Sequence, residues 1–448
     1  MIRGGVVALA ALAAGVAAVV AGATDQPPEG ARPWPAAPDR AFSTPVAPRD
    51  LAGLDAAAGA ALFGKLWVAA PASTRASDGL GPLYNARSCA ACHRNRGRAH
   101  PPEGDGPAPV GLVARLAQPD GGGDPVLGRQ VQPLATAGLA GEARVQIVWQ
   151  DHPLALPDGS AAMLRRPEAT LLDLVWGAPD PATRTGLRAA PPLVGMGLIA
   201  AIDADAILAN ATRDSGGIAG RVRMVTPLDG GAPVPGRFGR RAAAATLTDA
   251  TALALALDMG LSTPWLPDPA GDCTDAQAAC RDAPHGDGDA RVQEVAANAV
   301  GLIATHLASL GLPEPARGAD ALTRLGEAVF HAAGCAACHR PDYTISTTEG
   351  PRVIRPYSDF LLHDLGPAMA EAAPEAGIAA SEWRTAPLWG LGHSRAVGGR
   401  ESYLHDGRAR TLTEAILWHG GTAAPARDRV IAMPAADRTA LVAFLEGL

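Results

Sequence analysis

Aromatic residues are scarce in this chain of 448 residues, at 4%, and long runs of one charge are missing. Net charge is −7, mixed along the chain. A nucleic-acid partner needs a basic face to neutralise phosphates, so no nucleic acid is expected. The low hydropathy of a disordered chain is also missing: 48% of residues are hydrophobic, enough to bury a core. Few aromatics leave the interior short of its usual bulky filling. A large cofactor would supply such filling, although composition does not identify one. Gly and Pro are abundant, at 52 and 40, which predicts many turns and irregular segments. The length allows two or three domains.

The N-terminus carries an export signal. Arg3 is followed by an Ala- and Val-rich apolar stretch from Gly4 to Ala23. It ends in Ala21-Gly22-Ala23, an A-x-A cleavage pattern. Residues 1–23 therefore read as a cleaved signal peptide, with no membrane span in the mature form. An uncleaved anchor is the alternative, since the stretch is almost long enough to span a bilayer. Either way the rest of the chain lies outside the cytoplasm. Residues 24–50 are Pro-rich and read as a tether.

Six cysteines fall into three pairs. Even counts in an exported protein usually mean disulfides. Four of these six sit instead in Cys89-Ala90-Ala91-Cys92-His93 and Cys335-Ala336-Ala337-Cys338-His339, two copies of C-x-x-C-H, the attachment motif for c-type haem. Each thiol would bond a haem vinyl group, and the adjacent His would bind iron from the proximal side. One chance copy is expected in roughly two per thousand shuffled sequences of this composition, so two by chance can be neglected. Zinc would want a closer set of ligands, and a thioredoxin-like pair lacks the trailing His. The expected cofactors are two covalently bound haem c groups. Cys273 and Cys280 are left to form a local disulfide with a structural role.

Helical periodicity precedes both motifs. Ala58, Leu62, Phe63 and Leu66 share a face before the first, and Leu322, Leu325, Val329 and Phe330 before the second. A final helix opens at Pro434, with Leu441, Phe444, Leu445 and Leu448 on one face. Between the motifs, Arg144–Trp149 and Ala161–Leu164 flank an Asp158-Gly159 turn and predict a β-hairpin. Helices are expected near Ala204–Asn210, Thr246–Leu257 and Val292–Leu310. The fold class expected is mainly α: two cytochrome c-like haem domains with an inserted segment holding a small β element. Residues 51–115 would begin the N-terminal haem domain. Residues 116–310 would pack around the first haem, and 318–448 would form the C-terminal haem domain. No repeat beyond the two haem units is visible.

The stretch from Tyr403 to Gly421 is the most informative. Thr411 and Glu414 form a candidate capping box, and Gly420 and Gly421 end the helix. Leu412, Ala415, Ile416 and His419 share its inner face. A His at a helix C-terminus is favourable in itself; near a haem it is also a good iron ligand.

The chain resembles the dihaem oxidoreductase family, described as peroxidases and also labelled thiol oxidoreductases. The matching stretches are Asp78–Arg87, Ala190–Leu198, the Cys273/Cys280 loop, His363–Pro367, Glu382–Gly392 and Tyr403–Gly421. The family is more distantly similar to bacterial dihaem cytochrome c peroxidases and to the dihaem enzyme that matures methylamine dehydrogenase. In those relatives a His-Asp/Asn-Gly turn precedes the distal ligand of the C-terminal haem by about 14 positions. That ligand is Met in the peroxidases and Tyr in the maturation enzyme. Fourteen positions after His405 stands His419. The resemblance therefore implies ligation of the second iron by His339 and His419, at a lower potential than a Met ligand gives.

The resemblance also implies that peroxide reacts at the N-terminal haem, with His93 proximal. His100, His152, Met163 and Met196 are all open as its distal ligand, and no acid–base residue is singled out. Trp383, Trp389 and Trp418 could assist electron hopping, or simply pack beside the cofactor. Asp214–Gly220 holds one carboxylate, too few for the calcium segment some family members carry. The activity expected is peroxidase-like reduction of a small-molecule oxidant. Electrons would come through the C-terminal haem from a periplasmic donor, a small cytochrome or copper protein. A non-catalytic electron-transfer cytochrome is the alternative. Thiol oxidation ranks last, because both C-x-x-C pairs would be consumed by haem.

Overall fold

A computed structural model describes residues 38–43, 52–213, 217–286 and 293–448. The expected signal peptide, most of the Pro-rich tether, Asp214–Gly216 and the first expected helical residue, Val292, lie outside the described residues. No helix among the described residues is long and apolar enough to cross a membrane.

Two helix pairs organise the haem motifs. Helix α1 (Ala52–Gly64) precedes the first motif. Strands β1 (Leu112–Ala117), β2 (Arg144–Ala155), β3 (Ala161–Leu172) and β4 (Arg184–Ala189) follow. Then come α2 (Leu247–Met259), α3 (Ala297–Ala308) and α4 (Ala321–Ala333). Near the chain's end lie α5 (Leu412–Leu417) and α6 (Ala435–Glu446). Helix α1 packs on α3 across Gly59, where a Cβ would stand 1.9 Å from the Leu302 carbonyl oxygen. Helix α4 packs on α6 across Gly326, where a Cβ would stand 1.9 Å from the Ala440 oxygen. A bare glycine lets two backbones approach that closely, and the same device recurs in both pairs.

The glycines also reset the faces read from periodicity. Phe63 and Phe330 are buried as expected, each at 2% exposure. Leu66 and Leu325 are exposed instead. Leu66 lies beyond the end of α1, and on α4 the inner face is Gly326, Phe330 and Ala333. Close approach at Gly326 turns the helix so that its bulkier neighbour points outward. The last helix keeps its expected face, with Leu441, Phe444 and Leu445 buried.

The expectation of a mainly α fold is wrong. Helix makes up 33% of the structure and strand 20%, spread over several small sheets. Among the described residues these are one three-stranded and five two-stranded sheets. The β2–β3 hairpin is far longer than expected, with 12 residues in each strand, paired from Arg144↔Leu172 to Ala155↔Ala161 around the Asp158-Gly159 turn. The two stretches expected cover only half of it: Gln150–Ala155 is mostly exposed and Arg165–Leu172 carries no apolar alternation. Strands β1 and β4 pair antiparallel and escaped notice for another reason. They are rich in Arg and Ala, poor advertisements for a strand, although Leu112, Ala114 and Leu116 are buried on one face.

Three cores result. One gathers Phe63, Leu193, Ile303 and Leu307 around α1 and α3. A second gathers Phe330, Tyr357, Trp383, Leu441 and Phe444 around α4 and α6. A third fills the space between β1, β2 and β4 with Leu112, Leu116, Ile147 and Leu187. The outer part of the hairpin lies on the second core through Leu154, Leu156 and Leu164. Arg438 of α6 forms an ion pair with Asp158 at the hairpin tip. Cys273 and Cys280 are joined in a disulfide with Cα atoms 6.3 Å apart.

Candidate functional site

Both C-x-x-C-H motifs fold the same way. The first is a single helical turn, Cys89–Cys92, in which the His93 N–H donates to the Cys89 carbonyl at 3.0 Å. In the second the His339 N–H donates to the Cys335 carbonyl at 2.9 Å. The turn presents two cysteine side chains and an imidazole together, and none of the four cysteines is in a disulfide.

Each histidine is fixed through its inner nitrogen. His93 Nδ1 lies 2.8 Å from the Pro191 carbonyl oxygen. Pro192 follows and has no N–H, so this segment cannot join a ladder there. Flanking bonds hold it: the Ala99 N–H donates to the Ala190 oxygen and the Leu193 N–H to the Arg96 oxygen. His339 Nδ1 lies 2.9 Å from the Tyr357 carbonyl oxygen. Tyr357 adopts a left-handed φ of 52°, unusual for a bulky residue, which turns that carbonyl toward the ring. An Nδ1–H donated to a carbonyl leaves the Nε2 lone pair free, the form in which imidazole binds metal. Burial pushes both imidazoles down to about 4, so they are neutral at physiological pH. Both rings are only half-buried by surface area, although the protein encloses them.

His419 is brought to the second motif. Thr411 caps α5 by accepting from the Glu414 N–H at 3.1 Å. The expected box is only half made, because the Glu414 carboxylate accepts from Arg410 N–H rather than from Thr411. One residue past the helix cap, His419 sets Nδ1 2.8 Å from the Ala415 oxygen. Its ring centre lies 6.4 Å from that of His339, with planes 56° apart. A metal–imidazole nitrogen bond is about 2.0–2.1 Å, and the ring centre lies about 1 Å further back. Two rings sharing one ion therefore sit roughly 6 Å apart. The observed spacing fits a single metal ion between two free Nε2 atoms.

The other expected candidates do not gather at His93. Among the described residues its ring neighbour is Phe63, at 6.4 Å. His100 sets Nδ1 2.8 Å from Ser402 Oγ and presses Nε2 against Gly398. His152 lies on β2, edge-on to Trp418 at 5.9 Å, beside the second motif. Met163 is exposed on β3. Met196 packs against the first core. A histidine that sequence reading passed over, His306 on α3, is buried 5.5 Å from Phe63 with Nε2 3.3 Å from the Arg96 guanidinium. Its helical phase opposite Gly59 would have been the signal.

Asp258, at the end of α2, was also missed. Its charge is felt at Cys89 and Cys92. Burial raises its carboxyl, and Gln130 Nε2 donates to it at 2.8 Å. Near the second motif, Cys338, Asp359 and His363 place a thiol, a carboxylate and an imidazole within 4.8 Å of one another. His363 Nε2 is 2.8 Å from Asp359 Oδ2. That triad could hold a small ion only if Cys338 were free of haem.

The His405-Asp406-Gly407 turn lies between the motifs. His405 stacks on Trp383 at 3.8 Å and 13°. Asp406 is held by the Arg408 guanidinium at 2.7 and 2.9 Å. Gly407 lies against Pro101, beside His100. Arg408 sits 4.8 Å over the Trp418 ring. Trp389 is buried against Gly195, so both it and Trp383 are packed in cores.

No curated protein matches this chain. Among solved structures it is similar to one titled Kuenenia stuttgartiensis hydrazine synthase pressurized with 20 bar xenon, at 15% identity over 98% of this chain and 100% of that one. The TM-score is 0.34, too low to carry an argument about fold or function. Residues 179–448 match the family described as "Di-haem oxidoreductase, putative peroxidase", a stretch that holds the second C-x-x-C-H motif, and the chain belongs to that family.

Proposed function

We propose that the chain is an exported, periplasmic dihaem c-type cytochrome that reduces peroxide, or a similar small oxidant, at its N-terminal haem. Cys89 and Cys92 attach one haem, and Cys335 and Cys338 the other. His93 and His339 would each bind an iron, and His419 would be a second ligand to the iron at His339. Haem, when bound, supplies the redox-active iron. The chain's own residues orient it: three imidazoles fixed through Nδ1 present Nε2 to the interior.

One observation carries this reading, the asymmetry between the motifs. His339 has an imidazole facing it at 6.4 Å. His93 has Phe63 as its ring neighbour among the described residues, an apolar group that cannot ligate. One closed and one open position divide the labour. The closed site passes electrons from a periplasmic donor, a small cytochrome or copper protein. The open site receives oxidant. The balance is H2O2 + 2 H+ + 2 e− → 2 H2O, with both electrons supplied by that donor.

A second reading, a non-catalytic electron-transfer cytochrome, is favoured by the closed His339–His419 pair alone. Optical and EPR spectra of the purified holo-protein, oxidised and half-reduced, separate the two. The peroxidase reading expects one high-spin, cyanide-binding haem and donor oxidation on adding hydrogen peroxide. Two low-spin haems in both redox states, with no turnover, would leave electron transfer.

A further inference from the structure

Three arginines lie deep in the protein between the two motifs, and none pairs with a carboxylate among the described residues. Arg98 donates Nη2–H to the Leu404 oxygen at 2.6 Å. Arg240 donates Nη2–H to the Ala189 oxygen at 2.8 Å. Arg384 donates Nε–H to Gly239 and Nη1–H to Thr385, each at 3.0 Å. The Nε atoms of Arg98 and Arg240 are buried without any partner. The main chains are linked as well, with the Arg384 N–H donating to the Arg240 oxygen at 3.2 Å.

The nearby carboxylates are already taken. Asp406 belongs to Arg408, Asp359 to His363, and Glu371 to Arg188 and Arg241. Burial pushes Arg98 and Arg384 down to about 10, against the pull of the nearby Asp406 and Asp359 charges. Burial holds Arg240 well below its ordinary range, and there the neighbouring Arg98, Arg384 and Arg188 add to the effect. A buried cation without a charged partner is unfavourable. Arginine also stays charged, so the fold calls for an anion rather than for deprotonation. All three are partly buried by surface area.

We infer that Arg98 and Arg240 bind the propionate carboxylates of the haem on Cys89–His93, with Arg384 extending the same cationic wall toward the second haem. Placement assigns the first haem. Arg98 follows His93 by five positions. Arg240 holds the carbonyl of Ala189, two residues before the Pro191 carbonyl that fixes His93. Arg384 feels the charge of Asp359, whose N–H donates to the Cys338 oxygen at 2.9 Å. The guanidinium fork matches a carboxylate's two oxygens. This inference rests on the haem reading above.

The test uses the holo-protein: wild type, Arg240→Gln, Arg240→Lys, and Arg395→Gln as an exposed control. Covalent haem is counted first. Wild type lacking haem at Cys89 overturns the haem reading and this inference with it. With haem present, the midpoint potential of the first haem and its propionate bending bands in resonance Raman are measured. Removing the positive charge leaves a buried carboxylate uncompensated and favours the ferric iron. Arg240→Gln should therefore lower the potential by a tenfold or greater change in the oxidised-to-reduced ratio, about 59 mV for one electron. The Raman bands should shift with it. If that variant fails to accumulate, Arg240→Lys decides: its charge holds the potential near wild type, but its propionate bands still move. Unmoved bands in either variant overturn the assignment. So does a potential that follows added chloride or phosphate with bands unmoved, which would make the cluster a site for a free anion.

Discussion

His339 and His419 face each other with ring centres 6.4 Å apart, and each has its inner nitrogen fixed by a main-chain carbonyl, those of Tyr357 and Ala415. Replacing one ring should therefore leave its partner in place, and on the proposed haem reading it changes the ligation of the second iron. His419→Ala is expected to convert the second haem from low spin to high spin. His419→Met should keep it low-spin and raise its potential by on the order of 100 mV. EPR and a redox titration check both. Spectra identical to wild type would remove His419 from the ligand set.

The glycines at the helix crossings carry a second prediction. Gly59→Ala and Gly326→Ala each place a Cβ 1.9 Å from a main-chain oxygen of the facing helix. Overpacking of that kind costs about 1–3 kcal/mol. Gly301→Ala, on α3 but with nothing within 4 Å, should instead stabilise by about 0.5–1 kcal/mol. Thermal unfolding of the three variants should give opposite signs within one helix pair.

Removing the Cys273–Cys280 disulfide should cost about 2.5 kcal/mol on the chain-entropy model. The haem spectra should be unaffected, because the bond lies among Leu83 and Ala270, away from both motifs. Unfolding of the Cys273→Ser/Cys280→Ser variant, followed at the haem absorption band, measures both.

Glu142 predicts a pH dependence. It is 1% exposed, and burial pushes its carboxyl up to about 8, although Gln132 N–H and Gln277 Nε2 each donate to it at 2.6 Å. The folded protein thus holds this proton more tightly than the unfolded chain. Its contribution is fully present below about pH 4.5 and is lost as pH rises through about 8, by on the order of a few kcal/mol. Glu142→Gln should flatten that slope. It should unfold more easily than wild type at pH 5, where one acceptor is lost, and resist better at pH 9.

The haem motifs, the final helix and the candidate His419 were legible because each is local. A spacing of cysteines, a 3.6-residue period or a cap lies within a few residues of its partner. The long hairpin was half legible: alternation marks Arg144–Trp149 and the Asp158-Gly159 turn marks Ala161–Leu164, while Gln150–Ala155 and Arg165–Leu172 carry no such signal. Strands β1 and β4 were not, because their Arg and Ala content hides a face that only tertiary pairing defines. His306 and Asp258 were missed for a related reason. Asp258 reaches Cys89 and Cys92, and His306 reaches Phe63 and Arg96 beside them, across more than 150 positions of chain, and nothing local marks either. The unpaired arginines were invisible for the same cause, because a missing partner is a property of the fold.

Helices α1 and α3 are partners in space but stand at opposite ends of the middle region, with the exposed Asp158-Gly159 tip between them. A protease cutting at that tip would leave two fragments, each holding one C-x-x-C-H motif and half of the α1–α3 pair. Neither fragment would own a complete first core. The nicked protein should therefore elute as one particle from a sizing column and separate only under denaturant, behaving as a heterodimer made from a single gene product.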